Sequence, residues 1–235
     1  DDTDRHRIGL KKSLAEVRAI VDYHYFAGTG EDESKFESWR LSHQPFHWFI
    51  EFPEVFAGGG FDVVVGNPPY VGRTKARSYT YSGFKTNDLP DIYAPCVERA
   101  TNITNEAGRF AMILPISAQF AESFRPLRDL LESRYPSLWV SAFSRNPAAL
   151  FSAGLGVRST IVVGARSTAD PGNRFTKTHR WYDDFRPALF ETLTYLSLPN
   201  RAMRAVWFRP TSNAIAEAFG IALEGEGKLG SALRP

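Results

Sequence analysis

The pattern of apolar and polar positions changes character near residue 60. Beyond that point, short runs rich in valine, isoleucine and leucine alternate with stretches whose apolar residues recur three and four positions apart. Runs of the first kind are typical of strands in a covered sheet, and the second spacing is typical of amphipathic helices. Their alternation predicts an α/β fold. The runs predict strands near residues 61–66, 109–115, 138–143 and 158–164.

Periodicity and proline place the helices between these strands. One helix opens at Asp91-Ile92-Tyr93 and is expected to end at Gly108. A further helix is expected near Pro126, because the missing N–H of proline is tolerated in the first helical turn. Residues 166–174 are polar and predict a linker. The apolar face expected for the first of these helices comprises Cys96, Val97, Ala100 and Ile103.

Residues before position 60 predict helices of a different kind. Residues 1–9 are polar and are expected to be ragged, whereas an apolar stripe then predicts one helix and Phe36 and Trp39 mark a second. Between them, Phe26-Ala27-Gly28-Thr29-Gly30 has the form of a cofactor loop, but it follows a helical pattern and no strand precedes it. We interpret it as a turn between helices. The apolar stripe comprises Leu10, Leu14, Val17 and Val21.

Residues 45–57 are crowded with aromatic side chains and predict a packing segment that covers a sheet. His43 and His47 lie beside it. Nothing in the sequence completes a metal site around these histidines, so we predict surface or hydrogen-bonded roles for them and no bound metal.

Candidate chemistry lies where the first predicted strand ends. Residues 61–65 are followed by Gly66 and then by Asn67-Pro68-Pro69-Tyr70. The two prolines stop the strand, so Asn67 and Tyr70 are held just past its carboxyl end, where open α/β sheets bind ligands. The Asn67 oxygen and the Pro68 carbonyl are acceptors for an NH2 group, and Tyr70 offers a stacking surface. The alternative is an ordinary loop exit with Tyr70 packed into the core.

This motif after residues 61–65 resembles the catalytic motif of amino-group methyltransferases that use S-adenosylmethionine, and it is most similar to that of DNA adenine-N6 methyltransferases. Residues 51–56, followed by three glycines, resemble large type II restriction–modification enzymes with a fused methylase. The resemblance runs from about residue 45 to 190. It implies a three-layer, class I methyltransferase-like (Rossmann-like) sheet in which strand 158–164 runs antiparallel to the others.

The resemblance also implies roles for individual residues. Asn67 and Pro68 would accept the two hydrogens of the adenine N6 amine, and Tyr70 would stack on an adenine flipped out of the duplex. Phe151 has the place of a phenylalanine that packs against the flipped base, although a core role is equally compatible with the sequence. Pro69 would complete this base pocket, and Asp91 and Tyr93 would border it, although simple capping of the following helix explains Asp91 equally well.

One part of the family pattern is not found. Such enzymes carry a glycine-rich turn and an acidic residue for the ribose before the catalytic strand, and neither occurs in residues 1–60. We therefore expect only the C-terminal half of a methylase sheet, with the main cofactor-binding segment absent, and a fragment that neither binds S-adenosylmethionine nor acts alone. The expected partition is a helical and aromatic lead-in (1–57), a catalytic half (58–196) and a connection toward a missing DNA-recognition region (197–235).

Residues 71–86 form a loop that combines cations with aromatic rings. It contains Tyr79, Tyr81 and Phe84 and has no acidic residue. Rings among cations are typical of nucleic-acid contacts, and the loop follows the presumed base pocket directly. We predict contact with double-stranded DNA, the alternative being a solvated surface loop. The predicted DNA-binding cations are Arg73, Lys75, Arg77 and Lys85.

Composition narrows the function classes. The chain has 43% hydrophobic and 23% charged residues, as in globular proteins, and its net charge of +2 requires nucleic-acid contacts to come from local patches. Cys96 is the only cysteine, which excludes an internal disulfide and a cysteine-rich metal site. No apolar run approaches the length of a membrane span. We expect a cytoplasmic, bacterial protein without membrane contact.

Two other functions remain open at the level of sequence. The same motif occurs in methyltransferases that modify a glutamine amide or a nucleobase of RNA, because the chemistry of Asn67 suits any such amine. The chain is also compatible with a non-catalytic DNA-binding fragment of a larger system.

Overall fold

A computed structural model describes residues 2–76, 82–151, 156–198 and 207. The chain divides into two compact units, Asp1–Gly60 and Phe61–Pro235. Among the described residues, no helix combines the length and the apolar character needed to cross a membrane. The predicted connection at 197–235 lies outside the described residues, apart from positions 197, 198 and 207.

The first unit is helical. Its long first helix begins at Asp2, so the expectation of a ragged start at residues 1–9 was wrong. Acidic residues such as Asp4 favour a helix start, because they interact with the positive end of the helix dipole. A 3₁₀ turn at Glu33–Lys35 precedes the second helix. The helices of this unit are α1 (Asp2–Ala27), α2 (Phe36–His43), α3 (Trp48–Glu51) and α4 (Pro53–Ala57).

The glycine-containing segment after α1 is a turn between helices, as predicted. The backbone N–H of Gly28 donates to the carbonyl of His24, and that of Thr29 donates to the carbonyl of Phe26. Gly30 has a positive φ of 73°, which turns the chain toward α2. The N–H groups at this turn continue the helical bonding of α1, so they are not aimed at a ligand beyond a strand end.

Aromatic rings and one buried polar pair hold the first unit together. The ring of Phe26 is 2% exposed and lies 5.4 Å from that of Phe36 and 5.7 Å from that of Trp39. His47 Nε2 hydrogen-bonds Asp22 Oδ1 at 2.6 Å, which ties the segment before α3 to α1. His43 contacts the carbonyl of Trp39 at 3.0 Å. Hydrogen-bonded roles for both histidines are thereby confirmed.

The second unit is built on a mixed sheet of six strands in the order β1-β2-β4-β3-β5-β6. β1 and β2 are parallel, as are β3 and β5, whereas β4 is antiparallel to both of its neighbours. The four predicted strands and the antiparallel direction of the fourth are confirmed. The strands are β1 (Phe61–Gly66), β2 (Thr104–Pro115), β3 (Ser137–Phe143), β4 (Ser159–Ala165), β5 (Gly172–His179) and β6 (Leu196–Leu198).

Two boundaries differ from the sequence prediction. The helix before β2 ends at Ile103, and Gly108 lies inside β2, where a Cβ would stand 2.5 Å from Thr104 Cγ2 and 3.0 Å from the Asp62 carbonyl oxygen. Glycine there permits a close approach of β1. The predicted linker 166–174 includes the start of β5. β5 was missed because it is largely polar, with Phe175 as its large apolar residue.

Three further helices follow, α5 (Tyr93–Ile103), α6 (Ser117–Phe120) and α7 (Arg125–Arg134), and α5 and α7 pack against each other beside β2. Pro126 in the first turn of α7 is as predicted. In α5, Val97, Ala100 and Ile103 are buried as expected, but Cys96 is exposed. The predicted α/β class is confirmed. The β2 residues that alternate into the core beneath these helices are Phe110, Met112 and Leu114.

β1 lies at the end of the sheet order, and one of its faces is open. Val63 is 58% exposed and Val65 is 72% exposed, whereas Val64 packs against the core. Of these three valines, only Val64 is covered as expected for a buried strand. A run of valines reveals strand propensity, but which faces are covered depends on neighbouring elements that are distant in sequence.

Trp207 packs into the core from beyond the predicted catalytic half. Its side chain is 2% exposed, its backbone N–H donates to the Gln119 carbonyl at 2.7 Å, and its Nε1 donates to Glu132 Oε1 at 2.6 Å. The packed core of the second unit thus includes a residue from the 197–235 stretch.

Candidate active site

The candidate active site lies along one edge of the sheet. β1, β2 and β3 run in the same direction, so their carboxyl ends share that edge. The segments that leave these ends are 67–70 after β1, 116–120 after β2 and 144–151 after β3. The sheet therefore places the motif that begins at Asn67 and the loop that carries Phe151 along one edge, although 84 positions separate the two residues in the chain.

Asn67 is presented at the end of β1 with its side chain exposed. Gly66 is the last residue of the strand and pairs with Met112 of β2, and a Cβ at Gly66 would stand 2.8 Å from Met112 Sδ. Pro68 is buried and Pro69 is exposed. Among the described residues, the Asn67 amide has no hydrogen-bond partner, so its oxygen is available to a ligand.

Tyr70 is fixed by two kinds of contact. Its hydroxyl donates to the Ile113 carbonyl of β2 at 3.0 Å, and its ring meets that of Tyr93 edge-on at 6.4 Å between centroids. The ring packs against the core and remains partly exposed. Burial raises the pKa of Tyr70 to about 12, so the hydroxyl stays protonated and keeps this bond near neutral pH. A core contact and a stacking surface are therefore compatible in one ring.

Asp91 and Tyr93 lie next to the motif because the chain folds back on itself there. The Arg73 N–H donates to the Pro90 carbonyl at 2.7 Å, and an isolated β-bridge pairs Gly72 with Asp91. Tyr93 is fully buried. α5 begins at Tyr93 and its N-cap makes no side-chain bond, so simple helix capping does not explain Asp91. Partial burial raises the pKa of the Asp91 carboxyl group.

The basic loop after the motif is only partly free to meet an anion. Arg73 donates to Asp88 Oδ1 at 3.0 Å, so an acidic residue just beyond the loop pairs with one of its cations. Lys75 and Lys85 are exposed. Arg77 lies outside the described residues, as do Tyr79 and Tyr81. Phe84 lies beneath the guanidinium group of Arg99, 5.0 Å from ring centroid to Cζ.

Glu98 of α5 anchors the far end of this loop. The residue is 5% exposed, and its carboxylate accepts three hydrogen bonds: from the Lys85 N–H at 3.0 Å, the Thr86 N–H at 2.9 Å and the Thr86 hydroxyl at 2.8 Å. A buried carboxylate is tolerated when several donors compensate its lost hydration. Glu98 thus fixes where the loop meets α5.

Phe151 ends a segment that is anchored in a similar way. Arg186 donates from its guanidinium group to the carbonyls of Ala149 and Leu150, each at 2.9 Å, and pairs with Asp183 at 2.7 Å. Phe151 itself is partly exposed. The chain after β5 therefore holds the loop after β3 against the sheet edge.

Sequence reasoning missed both anchors. Glu98 is a charged residue between Val97 and Ala100, but it lies four residues after Ala94 and so shares a buried face of α5. This four-residue spacing could have indicated that Glu98 is buried. Arg186 carried no local signal, since its partners are 36 and 37 residues away.

Residues 11–145, more than half of the chain, match the family model described as the Eco57I restriction-modification methylase. The chain belongs to this family. The matched residues include every strand and helix from β1 through β3, and with them the motif that begins at Asn67.

Individual relatives of this chain are much longer than the chain itself. A protein of Methanocaldococcus jannaschii named type II restriction enzyme and methyltransferase is 32% identical over 90 residues, which are 37% of this chain and 8% of that protein. DrdV, solved in complex with DNA, is similar over 65% of this chain and 19% of its own, with a TM-score of 0.50 and 17% identity. A nuclease-deletion mutant of the Type ISP enzyme LlaGI, solved with a DNA substrate mimic, is similar over 70% of this chain and 19% of its own. Its TM-score is 0.48 and its sequence identity is 12%. This chain therefore spans a minor part of each.

Proposed function

We propose that this chain carries the catalytic part of an S-adenosylmethionine-dependent DNA methyltransferase that acts on the N6 amine of adenine within a restriction–modification system. The observation that supports this most directly is the free amide of Asn67 at the carboxyl end of β1, beside the fixed ring of Tyr70. Membership of the restriction-modification methylase family supports the reaction class.

Asn67 and Pro68 would activate the amine. The N6 lone pair of adenine is delocalised into the ring, so the amine is a poor nucleophile. Hydrogen bonds from its two hydrogens to Asn67 Oδ1 and the Pro68 carbonyl would increase electron density on nitrogen and stabilise the positive charge that develops on it. The adenine must leave the duplex to reach these acceptors, and the ring of Tyr70 would replace its lost stacking.

The cofactor would supply a methyl group bound to a sulfonium centre. Asp91 and Tyr93 fit a place beside it, because Asp91 pairs with Gly72 just after the motif and caps no helix, and the Tyr93 ring meets that of Tyr70. The turn at Phe26–Gly30 does not fit, since it continues the hydrogen bonding of α1 and follows no strand. The adenosine part of the cofactor is expected to be held by the glycine-rich turn and the acidic residue of the family pattern. Residues 1–60 contain neither feature.

The test of this proposal is a comparison of methyl acceptors. The full-length protein is incubated with methyl-labelled S-adenosylmethionine and, in separate reactions, duplex DNA, RNA and a protein with an exposed glutamine. Incorporation into DNA, located at adenine N6 by nucleoside analysis, is expected. Incorporation into RNA or into the glutamine instead would replace this function by one of its two enzymatic alternatives, and none at all would favour a non-catalytic DNA-binding fragment.

Substitution of Tyr70 should separate its ring from its hydroxyl group. Tyr70→Ala removes base stacking worth about 1–3 kcal/mol, so we expect KM for DNA to rise roughly 10- to 100-fold. Tyr70→Phe keeps the ring and removes only the bond to the Ile113 carbonyl, worth about 1 kcal/mol, so most activity should remain. Steady-state kinetics of both variants check this, and equal losses would mean that the hydroxyl, not the ring, matters.

Neutralising the basic loop should weaken DNA binding without regard to sequence. We expect the triple variant Arg73→Gln, Lys75→Gln, Arg77→Gln to bind all duplexes less tightly, with the salt dependence of log K reduced by about 0.9 for each phosphate that is no longer neutralised. Asp88→Asn is the matched control, because it releases Arg73 from its ion pair and should tighten binding slightly. If the triple variant keeps the original affinity and the original salt dependence, residues 71–86 are a solvated surface loop that does not contact DNA.

A further inference from the structure

A cavity of about 390 Å³ opens at the same edge of the sheet, between the segment after β2 and the connection from β3 to β4. It begins two residues beyond Ile113, whose carbonyl holds the Tyr70 hydroxyl. The cavity is therefore a neighbour of the proposed base pocket, and the motif at Asn67 does not line it. Its walls include Pro115, Ser117, Phe120, Arg145 and Arg158.

The cavity is positively charged. Its described lining contains Arg145 and Arg158 and no aspartate or glutamate. Arg145 donates from one guanidinium nitrogen to the Gly156 carbonyl at 3.1 Å. Among the described residues, neither arginine lies within ion-pair distance of a carboxylate. Both residues are exposed. The positive charge of the cavity is consequently available to an incoming anion.

The backbone around these arginines is fixed to the sheet. The Ile116 N–H donates to the Arg158 carbonyl at 2.9 Å, which ties the start of β4 to the end of β2. The Ser144 N–H donates to the His179 carbonyl at 2.8 Å, immediately before Arg145. Each arginine thus starts from an anchored main-chain position, which lowers the entropy lost when its side chain binds a ligand.

These features fit a phosphodiester of a nucleic-acid strand. Arginine presents a planar fork of N–H donors that matches phosphate oxygens, and the Ser117 hydroxyl can supply another donor. We propose that Arg145 and Arg158 bind the DNA backbone phosphates next to the extruded nucleotide and so hold the strand while its base lies at Asn67. This inference rests on the proposed function, and it assigns a second phosphate-binding site separate from the loop at 71–86.

The experiment measures binding of the full-length protein to DNA without turnover. The target sequence is first identified by sequencing DNA that the full-length protein has methylated. Fluorescence anisotropy then measures binding of the protein to an unmethylated duplex that contains this sequence. The double variant Arg145→Ala, Arg158→Ala should bind roughly 10- to 100-fold more weakly, and its salt slope should fall by about 1 to 2. The control double variant Arg109→Ala, Arg134→Ala removes the same charge from the first half of β2 and the end of α7, away from this edge, and should change affinity less than about threefold.

A neutral-backbone probe links the effect to specific phosphates. Methylphosphonates replace the two phosphates that flank the target adenine. The unsubstituted protein should bind this probe more weakly than the unmodified duplex, whereas the Arg145, Arg158 double variant should bind both equally. Equal weakening in both proteins, or a control variant as weak as the arginine variant, overturns the inference.

Failure of the inference and failure of the proposed function give different results. If the unsubstituted protein methylates adenine and the Arg145, Arg158 variant binds DNA normally, the function stands and the phosphate-binding role is refuted. If the unsubstituted protein modifies no DNA and binds none, both are refuted.

Discussion

The Asn67→Ala variant of the full-length enzyme is expected to lose nearly all methyl transfer while it still binds DNA. The amide oxygen of Asn67 would act mainly on charge that develops as the amine attacks, and removal of one such group costs about 10²- to 10³-fold in kcat. Because that interaction is weak in the ground state, the Kd for duplex DNA should stay within about threefold of the original value. Single-turnover methylation and anisotropy measure the two quantities.

Asn67→Asp is the matched control for this experiment. It keeps an acceptor oxygen at the same position and changes only the NH2 group and the charge, so its loss of activity should be smaller than that of Asn67→Ala. Full activity of Asn67→Ala would refute the assignment of Asn67. Both variants should fold normally, because the Asn67 side chain is exposed.

Removal of Glu98 should release the loop that follows the motif. Glu98→Ala leaves the Lys85 N–H, the Thr86 N–H and the Thr86 hydroxyl without their shared acceptor. Bonds to a charged group contribute about 1.5–3 kcal/mol each and are not additive, so we expect a loss of roughly 3 kcal/mol in the free energy of unfolding. Urea unfolding measures this loss. Limited trypsin digestion should also show faster cleavage after Lys85.

Two further variants make the Glu98 result specific. Glu122→Ala removes a carboxylate from an exposed pair 3.7 Å from Arg125 and should change stability by less than about 0.5 kcal/mol. Glu98→Gln keeps one acceptor oxygen and should lie between Glu98→Ala and the original protein. If Glu98→Ala unfolds at the same urea concentration and is cleaved no faster, the loop is held by other contacts.

Local patterns predicted the strands that are apolar. The runs at 61–66, 138–143 and 158–164 are rich in β-branched and other apolar residues, and each became a strand with boundaries close to the prediction. β5 escaped because Thr176 and His179 are buried polar residues of a strand that has little apolar character. Strands of this kind are specified by their neighbours in the sheet, and sequence periodicity does not reveal those neighbours.

The candidate site was predictable as a motif and unpredictable as a set of contacts. Asn67 and Tyr70 were found because proline and a strand end leave a local signature. The partners that fix the surrounding segments are distant in sequence: Ile113 lies 43 residues from Tyr70, and Leu150 lies 36 residues from Arg186. Asp88 neutralises Arg73 across 15 residues, so counting cations within the loop overstated its free charge.

The open edge of β1 has a consequence for handling the protein. β1 pairs with β2 along one edge, and no described strand pairs with its other edge. Val63 and Val65 of this strand are exposed. An unpaired edge with exposed apolar side chains can pair with a strand from another molecule. A recombinant protein that leaves this edge uncovered is therefore expected to self-associate through added strands, and a substitution that places a charge there, such as Val65→Lys, should reduce that association.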